Sequence, residues 1–341
     1  MAMSIEWRRR VDLWKGALPR IFYGELGEVE LSCFVADGSM LPSEAQKQVF
    51  RPVGVGEVWG REWDLGWFKG TITVPKSARG KRIVLKLEPG GMESIIWVNG
   101  VSKGARDHSG RELLLTAEAK GNEKFELLVE TFGGNPRTTG GGPRPEWFQP
   151  KEYVPAPQRL GRSTFGIWNE EAFQLWLDME CLMQLRDVIL DKDSLRVAEI
   201  DEALKALTLV VDLELPEVER DKTLVEGRKV LAKALACKNG STAPVMHCFG
   251  HSHIDVAWLW TLEETERKCV RTFSNQLALM DEYPEYKFLQ SQAYLYDRVK
   301  TLYPDLYKRI KEAVKRGQWL VEGSMWVEAD TNVSGGEALI R

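Results

Sequence analysis

Two hydrophobic patterns follow one another in the first part of the chain. Apolar residues recur at helical spacing from Trp7 to Leu18, which predicts one short amphipathic helix near the N-terminus. From about residue 26 to 132 short alternating runs are separated by Gly and Pro turns, a pattern typical of a β-sandwich or jelly roll. Within it, Asn99-Gly100 predicts a tight turn between two strands.

The next pattern is helical and covers about residues 169–236. Apolar residues there lie on one face of each of several predicted helices, for example Leu175 and Met179 in the first and Ile200 and Leu204 in the second. The Gly- and Pro-rich segment before these helices, residues 133–145, predicts a loop or linker.

Beyond Pro244 strand and helix patterns alternate. The apolar run Val245–Phe249 predicts a first strand, residues 262–282 predict a helix, and Trp319–Gly323 predict a later strand. Gly317 suits the left-handed end of the helix before that last strand. Strand, helix and strand in this order predict parallel β/α units.

These patterns together predict a multidomain fold with four parts. They are an N-terminal helix over residues 1–25, a β-sandwich of jelly-roll type over 26–160, a helical linker region over 165–240, and a β/α domain over 244–341. Two or three β/α units cannot close a barrel of eight strands, so we expect an incomplete barrel that stops inside the catalytic domain.

Composition and charge narrow the class of protein. The 46 Lys and Arg against 50 Asp and Glu give a net charge of −4 without any basic block, which argues against nucleic acid as a partner. The first residues have no apolar run of the length that a secretory signal needs, and no later stretch approaches about 18 uncharged apolar residues, so we expect a cytoplasmic protein. The five scattered cysteines predict neither a disulfide framework nor a thiolate zinc site. A homo-oligomer is compatible with this composition.

Candidate chemistry begins at the end of the first predicted strand of the β/α region. Side chains alternate along an extended backbone, so His251, His253 and Asp255 can point to one side. Imidazole and carboxylate groups on one segment suit a divalent cation such as zinc, and open α/β folds place their sites at this end of a strand. The best further carboxylate is Asp330, just past another predicted strand. Trp258 is the aromatic residue best suited to stack on a sugar.

Several ordered motifs carry a resemblance to a known family. The segments His251–Trp258, Gln290–Tyr296, Trp326–Asn332 and Ser334–Arg341 together resemble glycoside hydrolase family 38, the class II α-mannosidases. The helical stretch and the sandwich before them look like the N-terminal portion of microbial and cytosolic members. The resemblance therefore covers the N-terminal part of the family only.

The resemblance implies a retaining exo-α-mannosidase with a (β/α)7-type barrel, one zinc or related divalent ion, and mannose-containing oligosaccharides as substrates. By their matches to the family's motifs, His253 and Asp255 are expected to be metal ligands. Asp330 matches the residue that is both metal ligand and catalytic nucleophile, and Trp258 matches the aromatic residue beneath the bound mannose. The family's fourth ligand, a histidine, and its general acid/base, an aspartate, are expected beyond Arg341.

Two other functions remain open at the level of sequence. A metal-dependent amidohydrolase also begins its site with His-x-His on a barrel strand, but it needs further histidine ligands on later strands. A non-catalytic carbohydrate-binding or scaffold protein built on the sandwich would need no metal at all.

Overall fold

The computed structural model describes residues 3–107, 112–135, 154–191, 194–238, 240–323, 325–328 and 336. The first elements are α1 (Ile5–Ala17), β1 (Tyr23–Glu28), β2 (Leu31–Ala36), α2 (Pro42–Ala45), β3 (Arg51–Val53), β4 (Val58–Arg61), β5 (Leu65–Thr73), β6 (Ile83–Lys86), β7 (Glu93–Val98), β8 (Val101–Arg106), β9 (Leu113–Thr116) and β10 (Lys124–Phe132). They are followed by β11 (Pro157–Arg159), β12 (Thr164–Trp168), α3 (Glu170–Gln184), α4 (Leu195–Val210), α5 (Glu217–Leu235), β13 (Gly250–His251), α6 (Leu262–Glu282), β14 (Phe288–Gln290), α7 (Ala293–Leu302), α8 (Pro304–Lys315) and β15 (Trp319–Val321).

The strands before α3 and the strands after α5 form separate sheets. A six-stranded sheet has the order β3-β2-β5-β10-β7-β8, and its pairs are antiparallel. A four-stranded sheet has the order β1-β12-β6-β9, and β11 pairs with β4. The three strands β13, β14 and β15 are parallel neighbours, with helices between them along the chain.

The chain divides into two compact units. The first consists of Met1–Leu26, Gly80–Ile83 and Gly166–Val245, and it is mainly helical. Its core is built from the apolar faces of α1, α3, α4 and α5. Gly227 of α5 is required there, because a Cβ atom would lie only 2.4 Å from a methyl carbon of Val211.

The second unit contains both the six-stranded sheet and the parallel β/α segment. It consists of Gly27–Arg79, Val84–Phe165 and Met246–Arg341. One hydrophobic cluster joins Trp67 of the sheet to Phe273 of α6 and to residues of the parallel strands. The six-stranded sheet and the β/α segment therefore share a core within this unit.

Charged side chains are buried where α6 faces the six-stranded sheet. Glu130 of β10 is 1% exposed, and its Oε1 lies 3.7 Å from Nε of Arg267. Arg267 also donates to Glu264, at 2.8 Å, and Arg271 contacts Glu93 of β7 at 2.8 Å. Burial raises the pKa of Glu130 to about 7, although both arginines favour its charged form.

Several local expectations are confirmed. The N-terminal helix is α1, the pattern over 262–282 is α6, and the parallel β/α arrangement is present. Asn99 and Gly100 have φ values of 51° and 79° at the turn between β7 and β8, as a two-residue hairpin turn of type I′ requires. Gly317 follows α8 with φ of 71°.

The strand predicted over Val245–Phe249 is wrong. The strand in this region is Gly250–His251, and the apolar run before it has no strand pairing among the described residues. Val245 and Met246 are 80% and 86% exposed, so they have no core to pack against in the described part of the chain. An apolar run becomes a strand only where a neighbour can pair with it and cover it.

None of the helices within the described ranges combines the length and apolar character needed to cross a membrane.

The buried carboxyl of Glu130 predicts a pH dependence of stability. Between about pH 4.5 and pH 7 the unfolded chain releases this proton while the folded chain keeps it, so stability falls as pH rises through this window and then levels off. In the parent protein the free energy of unfolding should fall by up to roughly 3 kcal/mol across this pH window, and we expect Glu130→Gln to abolish that fall. Urea unfolding at several pH values measures it, with Glu126→Gln, an exposed position of the same strand, as the control.

Candidate active site

The carboxyl ends of the three parallel strands meet at one edge of their sheet. β13 ends at His251, β14 at Gln290 and β15 at Val321, and the segments that follow carry polar side chains. Open α/β folds bind ligands outside the carboxyl ends of their strands. The candidate site therefore lies where these three segments meet.

His253 is at the centre of this arrangement. Its Nε2 lies 3.1 Å from Oδ1 of Asp255, two residues further on, and its Nδ1 forms a short hydrogen bond with Oε2 of Glu328. The hydroxyl of Ser291 donates to the other oxygen of Glu328 at 2.5 Å. His251 lies further out, with 3.6 Å between its Nε2 and Oε1 of Glu328. Residues from all three segments thus meet around one imidazole.

The charges of the two central groups depend on each other. Burial opposes the charged imidazole, but hydrogen bonds to Glu328 and Asp255 outweigh it and raise the pKa of His253. Burial likewise favours the protonated carboxyl of Glu328, but hydrogen bonds from Ser291 and His253 hold the pKa of Glu328 below its usual value. Each of the two groups therefore favours the charged form of the other.

Of the five residues singled out in the sequence, the structure brings His253 and Asp255 together, and His251 lies nearby. Trp258 is 54% exposed and contacts Trp260 edge to face, with 5.3 Å between the ring centroids. Asp330 lies outside the described residues. Within the part of the chain that is described, no three His, Cys, Asp or Glu side chains form a group that could hold a metal ion.

Glu328 is the residue of the site that sequence reasoning missed. It lies in the motif Trp326–Asn332, which also contains Asp330, and it precedes Asp330 by two residues. Residues two apart on an extended segment point to the same side, so this spacing could have drawn attention to Glu328.

A cleft of about 430 Å³ lies beside His253 within the same unit. Its walls include Glu93 of β7, Arg106 of β8, and Lys268 and Arg271 of α6. The antiparallel sheet therefore contributes side chains to the surroundings of His253.

Two family models match the chain. Residues 243–341 match the N-terminal domain of glycosyl hydrolases family 38, and residues 28–180 match the jelly roll domain of alpha-mannosidase. The resemblance to the N-terminal part of family 38 is thereby confirmed, and so is the jelly-roll character of the antiparallel region.

Individual relatives agree with these models. Alpha-mannosidase G of Dictyostelium discoideum is 32% identical over 86% of this chain and 26% of its own length. Alpha-mannosidase 2C1 of Homo sapiens is 29% identical over 94% of this chain and 30% of its own. An alpha-mannosidase of Saccharomyces cerevisiae is 43% identical over 27% of this chain and 9% of its own. The chain thus spans less than a third of the length of each of these relatives.

The different environments of two tryptophans predict different costs of truncation. Trp260 donates its indole N–H to Thr265 at 3.1 Å and lies under the ammonium of Lys268, 4.5 Å from its ring centroid, whereas the Trp258 side chain is half exposed. We expect Trp260→Ala to lower the free energy of unfolding by about 2 kcal/mol or more, and Trp258→Ala by less than about 1 kcal/mol. Urea unfolding measures both. Equal losses would make Trp258 a structural residue and argue against a role in binding.

Proposed function

We propose that this chain is the N-terminal part of a retaining exo-α-mannosidase that removes terminal α-linked mannose from oligosaccharides. Two findings support this proposal: the match to family 38, and the approach of His253 to Asp255 at the carboxyl end of a parallel strand. The units from β13 to β15 would then be the first of a (β/α)7-type barrel. The family match favours this function over an amidohydrolase or a scaffold.

The donor atoms of the pair fit a zinc ion. Imidazole nitrogen and carboxylate oxygen are ordinary zinc ligands, bound at about 2.0–2.2 Å. The distance of 3.1 Å between Nε2 of His253 and Oδ1 of Asp255 is short enough for both atoms to reach one ion. In the proposal Asp330 supplies a third ligand and the remainder of the protein a fourth. Bound zinc would anchor the sugar through its 2- and 3-hydroxyls and favour a distorted ring.

Glu328 would hold the imidazole in position for this role. A histidine that binds a metal through one ring nitrogen usually donates a hydrogen bond from the other nitrogen, often to a carboxylate. Glu328 accepts from Nδ1 of His253 and is itself held by the hydroxyl of Ser291, which leaves Nε2 directed towards Asp255. This arrangement supports His253 as a ligand through Nε2.

Asp330 and Trp258 would act on the sugar itself. The carboxylate of Asp330 would attack the anomeric carbon and form a glycosyl ester, while the departing oxygen takes a proton from the acid expected later in the chain. Water, deprotonated by the former acid, would then attack the anomeric carbon from the face that the leaving group left and displace the Asp330 carboxylate, so that two inversions give net retention. Trp258, with its exposed ring, would stack on the C–H face of the mannose.

Hydrolysis of an aryl α-mannoside by the complete protein tests this mechanism. We expect zinc bound in a ratio of about one ion per chain, an α-configured first product by NMR, and a loss of more than about 1,000-fold in kcat/KM for Asp330→Asn. A β-configured first product would rule out Asp330 as the nucleophile. A protein that neither binds a divalent ion nor cleaves mannosides would overturn the proposed function.

The role of Glu328 predicts a selective effect on metal binding. We expect Glu328→Gln to weaken zinc affinity about 10- to 100-fold, because the neutral amide is a poorer acceptor for Nδ1 of His253. Glu322→Gln is the matched control, since Glu322 is an exposed residue shortly after β15. Chelator competition measures both affinities. If the two variants bind zinc equally well, Glu328 does not position the imidazole.

A further inference from the structure

The segment Ser252–Ala257 carries the proposed ligand pair, but the two ligands are poorly held by their own packing. The side chains of His253 and Asp255 are 48% and 40% exposed. A metal site needs its ligands within about 0.5 Å of their productive positions. The main chain of this segment must therefore be fixed by other residues.

Thr265 of α6 fixes one end of the segment. Its side chain is fully buried, and its hydroxyl accepts hydrogen bonds from the amide of Ala257, at 3.0 Å, and from the indole of Trp260, at 3.1 Å. The same hydroxyl lies 3.1 Å from the carbonyl oxygen of Asp255, to which it can donate. One donor and two acceptors are all that a hydroxyl offers, so this group is fully used.

The backbone at this end needs such a constraint. Ala257 has a φ of 57°, in the left-handed region that residues with a Cβ atom rarely adopt. Ala257 lies between Asp255 and Trp258 along the chain, and its backbone amide donates a hydrogen bond to the hydroxyl of Thr265. The hydrogen bond thus helps to keep a turn that the sequence alone does not favour.

Gln290 fixes the other end. It is fully buried at the end of β14, and its side-chain NH2 group donates a hydrogen bond to the carbonyl oxygen of Ser252 at 2.9 Å. Its side-chain oxygen accepts from the amides of Ser291 and Gln292, at 2.9 and 3.2 Å. Gln290 therefore ties the ligand segment to the beginning of the next loop of the site.

We propose that Thr265 and Gln290 are positioning residues that hold the main chain on both sides of the His253–Asp255 pair and so set its geometry for a metal ion. The inference deepens the proposed function and rests on it. Neither residue is a proposed ligand, and each acts on main-chain atoms of the segment that carries the ligands. Removing the hydroxyl of Thr265 takes away the partner of the Asp255 carbonyl oxygen, the Ala257 amide and the Trp260 indole, which are partly buried, so the segment is expected to shift.

The test compares variants of the complete protein that differ by one buried polar group. Thr265→Val keeps the shape and removes the hydroxyl, Thr265→Ser restores the hydroxyl, and Gln290→Met is an independent variant at the other end. Ser274→Ala is the matched control, because Ser274 is a buried residue of the same helix whose hydroxyl has no hydrogen-bond partner among the described residues.

We expect Thr265→Val and Gln290→Met to weaken zinc affinity about 10- to 100-fold, as loss of supporting contacts does in other metal sites. Thr265→Ser and Ser274→Ala are expected to remain within about threefold of the parent protein. Hydrogen exchange of the metal-free protein is a second readout. The exchange rate of the Ala257 backbone amide should be higher in Thr265→Val than in the parent protein and the same as the parent rate in Ser274→Ala.

The outcomes separate the two proposals. If the parent protein binds zinc and the variants Thr265→Val and Gln290→Met bind it with the same affinity, the positioning role is overturned but the proposed function is not. A parent protein that binds no divalent ion overturns the proposed function and the positioning role with it. Failure of Thr265→Ser to restore the affinity would also overturn the positioning role, because the hydroxyl would then not be the group that matters.

Discussion

The packing of α6 against the six-stranded sheet is the contact on which the candidate site depends. Phe273 of α6 lies in the cluster that contains Trp67 of the sheet, and Asn275 accepts a hydrogen bond from the amide of Ala105 on β8 at 2.6 Å. The N-terminal turns of the same helix carry Thr265, which contacts the main chain beside Asp255. Apolar packing of one helix thus determines where a polar segment lies.

The site contains two kinds of residue: exposed side chains, and buried side chains that hold the main chain in place. His253 and Asp255 are accessible, as the proposed role of metal ligands requires, whereas Thr265 and Gln290 are fully buried. Glu328 is intermediate: its side chain is 31% exposed, and its carboxylate joins the imidazole to the hydroxyl of Ser291. Buried polar groups with all their partners are rigid, and a rigid support compensates for the freedom of exposed side chains.

The fold was largely predictable, because its signals are local. The apolar repeat of α6, the Asn99-Gly100 turn and Gly317 each determine a short stretch of backbone without help from distant residues. The strand expected over Val245–Phe249 failed because pairing depends on neighbours that the pattern does not show. Within the site, alternation along one segment pointed to His253 and Asp255 together. The contacts of Glu328 and Thr265 depend on the folded positions of separate segments, which the sequence pattern does not show.

The shared core of the second unit has a consequence for how such chains can evolve. The two family models cover different stretches, 28–180 and 243–341, yet Trp67, Phe273 and the buried carboxyl of Glu130 belong to one interior. A gene rearrangement that transferred the β/α stretch alone to another protein would separate α6 from the sheet, and its buried aromatic and charged side chains would be exposed. Selection should therefore keep the two stretches in the same gene.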